Sequence, residues 1–93
     1  MKRNYLIGYD IADPKRLRRV AKVVSGFGSR VQYSFYHCMI SNSQKKRMKS
    51  LLQKEISEDE DQIIILPITD RQLKEMEFMG FKINLQNEGI III

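Results

Sequence analysis

The chain has 93 residues, 43% of them apolar, a single cysteine and a formal net charge of +5. That is one domain's worth of chain, too apolar for a disordered segment, and a lone Cys38 excludes an internal disulfide or a multi-cysteine zinc site. Residues 1–54 hold 13 basic and 2 acidic side chains while residues 55–93 hold 3 and 9, so a cationic body points to a polyanion and the anionic last third to protein contacts.

Tyr5-Leu6-Ile7-Gly8-Tyr9 is a continuous apolar run, the pattern of a strand covered on both faces, and Asp10 ends it. Asp13-Pro14 then starts a helix, with Asp as N-cap and Pro at the first helical position. Leu17, Val20, Ala21 and Val24 form its apolar face, and Lys15, Arg16, Arg18, Arg19 and Lys22 its basic side. Gly26 and Gly28 stop it.

From Arg30 to Ile40 the period becomes two, with Val31, Tyr33, Phe35, His37 and Met39 on one face. The stretch is long for one strand, so a turn or kink is expected near Tyr33–Phe35. Ser41-Asn42-Ser43 offers caps for a second helix, with Met48, Leu51, Leu52 and Ile56 inward and Lys45, Lys46, Arg47, Lys49 and Lys54 outward. Glu58-Asp59-Glu60-Asp61 reads as a solvated acidic connection. Ile63–Ile68 is a further buried strand, its end demoted to an edge by Pro67.

The order β-α-β-β-α-β is the split βαβ arrangement of ferredoxin-like domains: an α+β fold with both helices on one face of a four-stranded antiparallel sheet. This core is expected over residues 1–68, with 69–93 as an extension. In the extension Asp70 is expected to cap a short helical turn through Leu73 and Met76, and Phe78–Ile83 and Gly89–Ile93 read as short strands. An unpaired Ile-rich edge invites aggregation. The expectation is therefore a homodimer in which each C-terminal strand segment is exchanged onto the partner's sheet; the alternative is a tail folded on its own sheet. No stretch nears the roughly 18 apolar residues of a membrane span. The N-terminus lacks the h-region and cleavage site of a secretory signal, so a cytoplasmic protein without a membrane partner is expected.

Three ordered blocks carry a family resemblance. Gly8-Tyr9-Asp10-Ile11 runs into Asp13-Pro14-Lys15-Arg16-Leu17-Arg18-Arg19-Val20-Ala21-Lys22; Gly28-Ser29-Arg30-Val31-Gln32-Tyr33-Ser34-Phe35-Tyr36 follows; the late apolar strand closes near Pro67. Together they resemble the second CRISPR-associated protein family, small ferredoxin-like nucleases and adaptation-complex subunits, over residues 4–68. His37 stands where the family is usually acidic, and Tyr36 where it usually has Phe.

The resemblance implies that Asp10 of each of two protomers binds a divalent metal, Mg²⁺ or Mn²⁺, across the dimer axis, as the catalytic carboxylate of an endonuclease. Read from the residues alone, Asp10 either holds a metal or caps a loop at the strand end. One carboxylate per chain is a thin apparatus for cleavage; Asp70 or Glu75 would add to it only if the tail folds towards Asp10. Arg16, Arg18, Arg19, Lys22 and Arg30 are the phosphate-binding candidates, because guanidinium forks fit phosphate oxygens and no acidic residue lies between Asp13 and Glu55. Tyr9 and Ser34 are candidates for supporting the metal site. His37 is weighed as a general base against a packed histidine, Cys38 as a core residue, and Tyr33, Phe35 and Tyr36 as base-stacking against sheet-packing aromatics.

The function expected is a homodimeric CRISPR adaptation protein that binds duplex DNA or RNA, bridges an integrase subunit and cleaves phosphodiesters with Mg²⁺. The alternatives are a toxin-like endoribonuclease acting without an integrase, and a non-catalytic ferredoxin-like RNA-binding or regulatory module.

Overall fold

A computed structural model of the chain describes residues 1–80. Strands β1 (Lys2–Asp10), β2 (Gly28–Gln32), β3 (Phe35–Ser41) and β4 (Gln62–Ile68) form one antiparallel sheet in the order β2-β3-β1-β4. Helices α1 (Pro14–Ser25) and α2 (Asn42–Glu55) follow β1 and β3, giving the expected ferredoxin-like α+β arrangement, and a short α3 (Asp70–Lys74) follows β4.

Local chemistry accounts for the element ends. Asp13 caps α1 by accepting from the Arg16 amide at 2.9 Å, and Pro14 opens the helix where its missing N–H costs nothing. Gly26 caps the other end at φ −73°, so the stop needs no left-handed residue. Gly28 is required for another reason: a Cβ there would sit 2.1 Å from the His37 carbonyl oxygen, inside the β2–β3 pairing. The expected turn falls at Tyr33-Ser34, with a register shift between Arg30 and Gln32. Ser41 and Gln44 form a reciprocal capping box on α2. In α3 the cap is Thr69 and not Asp70, because the Thr69 hydroxyl takes the Gln72 amide.

One sheet face packs on the helices. Tyr5, Ile7 and Tyr9 of β1 and Tyr36, Cys38 and Ile40 of β3 meet Val20, Val24, Met48 and Leu52. Ile7, Val20, Val24, Cys38 and Met48 are fully buried. Each large aliphatic among them contributes about 1.5–3 kcal/mol by leaving water.

Nothing among the described residues covers the opposite face. The apolar runs of β1 and β4 suggested cover on both sides, yet Phe35, Met39, Ile64 and Leu66 are 42–54% exposed there. Residues 76–79 are irregular and not a strand, and Gly80 turns the chain at φ 87°. The remainder of that expected strand, the Gly89–Ile93 strand and the exchanged segment lie outside the described residues.

Candidate nucleic-acid and metal site

Asp10 is the last residue of β1, paired with Gln62 of β4, and its side chain is exposed. Alternation puts it on the open face with Leu6 and Gly8. Gly8, Tyr9, Asp10, Phe35, Gln62 and Ile64 line a cleft of about 210 Å³ beside it. The backbone around Asp10 is pinned on both sides: the Tyr9 amide donates to the Ser34 carbonyl at 3.1 Å, and the Ala12 amide to Asp61 Oδ1 at 2.9 Å.

Ser34 thus supports Asp10 through its backbone. Tyr9 points to the helix side, where its ring stacks on Tyr36 at 6.1 Å and its hydroxyl donates to the Tyr33 carbonyl at 3.4 Å. Burial pushes the Tyr9 phenol up to about 12, so it stays protonated at neutral pH.

Among the described residues no three His, Cys, Asp or Glu side chains cluster as a metal site. Asp70 accepts from Asn4, near the far end of β1 from Asp10, and Glu75 pairs with Arg71. Neither joins Asp10 within the chain. One exposed carboxylate suits a hydrated Mg²⁺ shared between copies, since that ion keeps several waters and commonly takes one or two carboxylates.

The five phosphate candidates divide into two sets, Arg18, Lys22 and Arg30 against Arg16 and Arg19, and Lys15, not among the five, falls with the first. Lys15, Arg18, Lys22 and Arg30 are exposed and make no ion pair among the described residues. Arg16 instead pairs with Asp61 at 2.8 Å and Glu60 at 2.9 Å, and Arg19 with Glu55 at 3.0 Å. The acidic connection is therefore only partly solvated; the Asp61 side chain is wholly buried. Lys46, Arg47, Lys49 and Lys54 add exposed charge along α2, and Lys45 lies 4.9 Å over the Tyr5 ring.

His37 is a packed histidine. Its Nε2 donates to the Asn4 side-chain carbonyl at 2.8 Å, while the Asn4 amide nitrogen donates to Asp70. Burial lowers its pKa. Cys38 is fully buried, its thiol pushed up to about 11, and acts as a core residue. Tyr36 packs in the core, whereas Tyr33 at the turn is 85% exposed.

Sequence reasoning missed Asp61 and Asn4. Nothing local separates Asp61 from Asp59, or Asn4 from any strand-end asparagine; their side-chain partners lie 33–66 residues away.

The described residues thus define a small α+β domain of ferredoxin-like build, with a cationic helix layer on one side of its sheet and the Asp10 carboxylate at the rim of the other. The family profile described as "CRISPR associated protein Cas2" matches residues 3–76. The chain belongs to that family. It is 33% identical over 76 residues, covering 82% of this chain and 83% of the relative, to the CRISPR-associated endoribonuclease Cas2 3 of Synechocystis sp.. It is 32% identical over 92 residues, 94% of this chain and 96% of the relative, to the CRISPR-associated endonuclease Cas2 of Halalkalibacterium halodurans. The crystal structure of Streptococcus pyogenes Cas2 at pH 6.5 superposes with a TM-score of 0.77 at 30% identity, over 83% of this chain and 99% of that one. No helix among the described residues is long and apolar enough to cross a membrane.

Proposed function

We propose that this chain acts in CRISPR adaptation as a homodimeric nucleic-acid-binding protein with a metal-dependent endonuclease centre at Asp10. The carrying observation is the placement of Asp10 at the rim of an apolar sheet face that nothing among the described residues covers, with Phe35, Met39, Ile64 and Leu66 on it. A second copy stacked on that face buries these side chains and brings two Asp10 carboxylates to one boundary. A Mg²⁺ or Mn²⁺ held there supplies charge stabilisation and a lowered water pKa for phosphodiester hydrolysis.

Lys15, Arg18, Lys22 and Arg30 bind the phosphate backbone, positioning the duplex without reading its bases. In this reading the chain meets an integrase subunit and works in the cytoplasm, a setting that family membership supports. The relatives are named both endoribonuclease and endonuclease, so RNA and DNA are both candidate substrates.

The test compares wild type with Asp10→Ala for duplex binding and for cleavage of DNA and RNA in Mg²⁺ and Mn²⁺. Binding retained with cleavage lost is expected. No cleavage by wild type under any metal and pH would remove the nuclease part and leave the binding scaffold.

A further inference from the structure

The connection between α2 and β4 reaches back to the segment that carries Asp10. The buried Asp61 carboxylate takes four hydrogen bonds: from Arg16 Nε at 2.8 Å, Arg16 Nη2 at 3.2 Å, the Ser57 amide at 2.8 Å and the Ala12 amide at 2.9 Å. A carboxylate out of water persists where its lone pairs and charge are met, and here a guanidinium fork and two amides meet both. The same contacts hold its pKa well below the usual carboxylate range. Ala12 lies two residues beyond Asp10, and Gln62, which pairs with Asp10 across the sheet, is the next residue after Asp61. One buried group thus holds the chain two residues past Asp10 and adjoins its cross-strand partner. Arg16, its charge faced by Asp61 and Glu60 and its side chain 21% exposed, adds little attraction for a polyanion.

We propose that Arg16 and Asp61 form a brace that positions Asp10, and that Arg16 serves this brace and not phosphate. Its consequence for metal binding rests on the reading of Asp10 given above; the brace itself does not. Arg16 and Asp61 are positioning residues, joining the turn before α1 to the connection before β4. Lys15, Arg18, Lys22 and Arg30 are left as the phosphate contacts on this side of the molecule.

The experiment uses the full chain and the variants Arg16→Gln, Asp61→Ala and Arg18→Gln. Three quantities are measured: hydrogen exchange at the Ala12 amide by NMR, Mn²⁺ affinity by paramagnetic resonance, and the slope of log duplex affinity against log salt. The brace variants should expose the Ala12 amide and weaken Mn²⁺ binding about 10- to 100-fold, the usual effect of removing a residue that orients a ligand. Arg16→Gln should leave the salt slope unchanged, whereas Arg18→Gln should reduce it by about one per lost phosphate contact and leave Ala12 protected. Should Arg16→Gln fail to fold because it strands the buried Asp61 charge, Arg16→Gln combined with Asp61→Asn gives the same readouts without that charge. An Ala12 amide as protected in the brace variants as in wild type would overturn the proposal, as would a salt slope that falls in Arg16→Gln as it does in Arg18→Gln. If wild type binds no Mn²⁺, the metal reading of Asp10 fails, while amide exchange and salt slope still decide the brace.

Discussion

His37 lies on the open side of the sheet yet is 5% exposed, and its neutral ring donates to Asn4, which donates onward to Asp70. Charging the ring there sacrifices hydration, so its pKa in the fold is below the ordinary 6.5. The unfolded chain takes up the proton first. Stability is therefore complete above about pH 6.5 and declines as pH falls through the lower folded-state value. Thermal melts of wild type from about pH 8 to 5 should show that decline, and His37→Gln, which keeps a donor but does not titrate, should flatten it. An unchanged profile in the variant would assign the decline to other groups. Gly28→Ala tests a different constraint: the added Cβ meets a backbone carbonyl that cannot rotate away, so the β2–β3 pairing must open. A loss of about 1–3 kcal/mol in denaturant melts is expected. Single residues were legible in the sequence when their partner is near in the chain, as with Asp13 on the Arg16 amide. Asp61 and Asn4 were hidden because what defines them arrives from elsewhere in the fold.

Among the elements, α2 depends most on its ends: its outward side is a row of cations that repel one another, and only Met48 and Leu52 are buried. Ser41→Ala removes the half of the capping box in which the Ser41 hydroxyl accepts from the Gln44 amide, leaves the Ser41 amide on the Gln44 side chain, and should lower stability by about 0.5–2 kcal/mol, measured by urea unfolding. A neutral result would mean that packing alone holds the helix. Helix α1 was readable because a cap, a Pro and a 3.6-residue stripe coincide there, and α2 because cap candidates precede a similar stripe. The hairpin turn was readable from length alone, without Gly or Pro to mark it. For β1 and β4 an unbroken apolar run says that both faces carry apolar side chains, but not what covers each of them. Among the described residues the helices cover one face, and Ile64 and Leu66 are half exposed. Introducing Ile64→Lys with Leu66→Lys should leave the monomer folded and shift sedimentation from dimer to monomer. Persistence of the dimer would place its interface elsewhere.

Across the whole molecule the two charge blocks of the sequence do not simply separate. Part of the anionic block, Glu55, Glu60 and Asp61, folds back on α1 and neutralises Arg16 and Arg19, so the cationic layer is smaller than the count of basic residues suggests. What remains still makes binding salt-dependent. A dimer meeting about 6–10 phosphates should lose on the order of 10³–10⁵ in duplex affinity between 50 and 200 mM salt. Asp10 stands apart from that layer, on the sheet side, where the proposed metal site takes its second carboxylate from another copy. Counting Mn²⁺ bound to the purified full-length protein at saturation tests this most directly. The expected result is one ion for every two chains, abolished by Asp10→Asn and by Ile64→Lys with Leu66→Lys. One ion per chain, or binding that survives in the monomeric variant, would contradict a site shared between two Asp10 carboxylates.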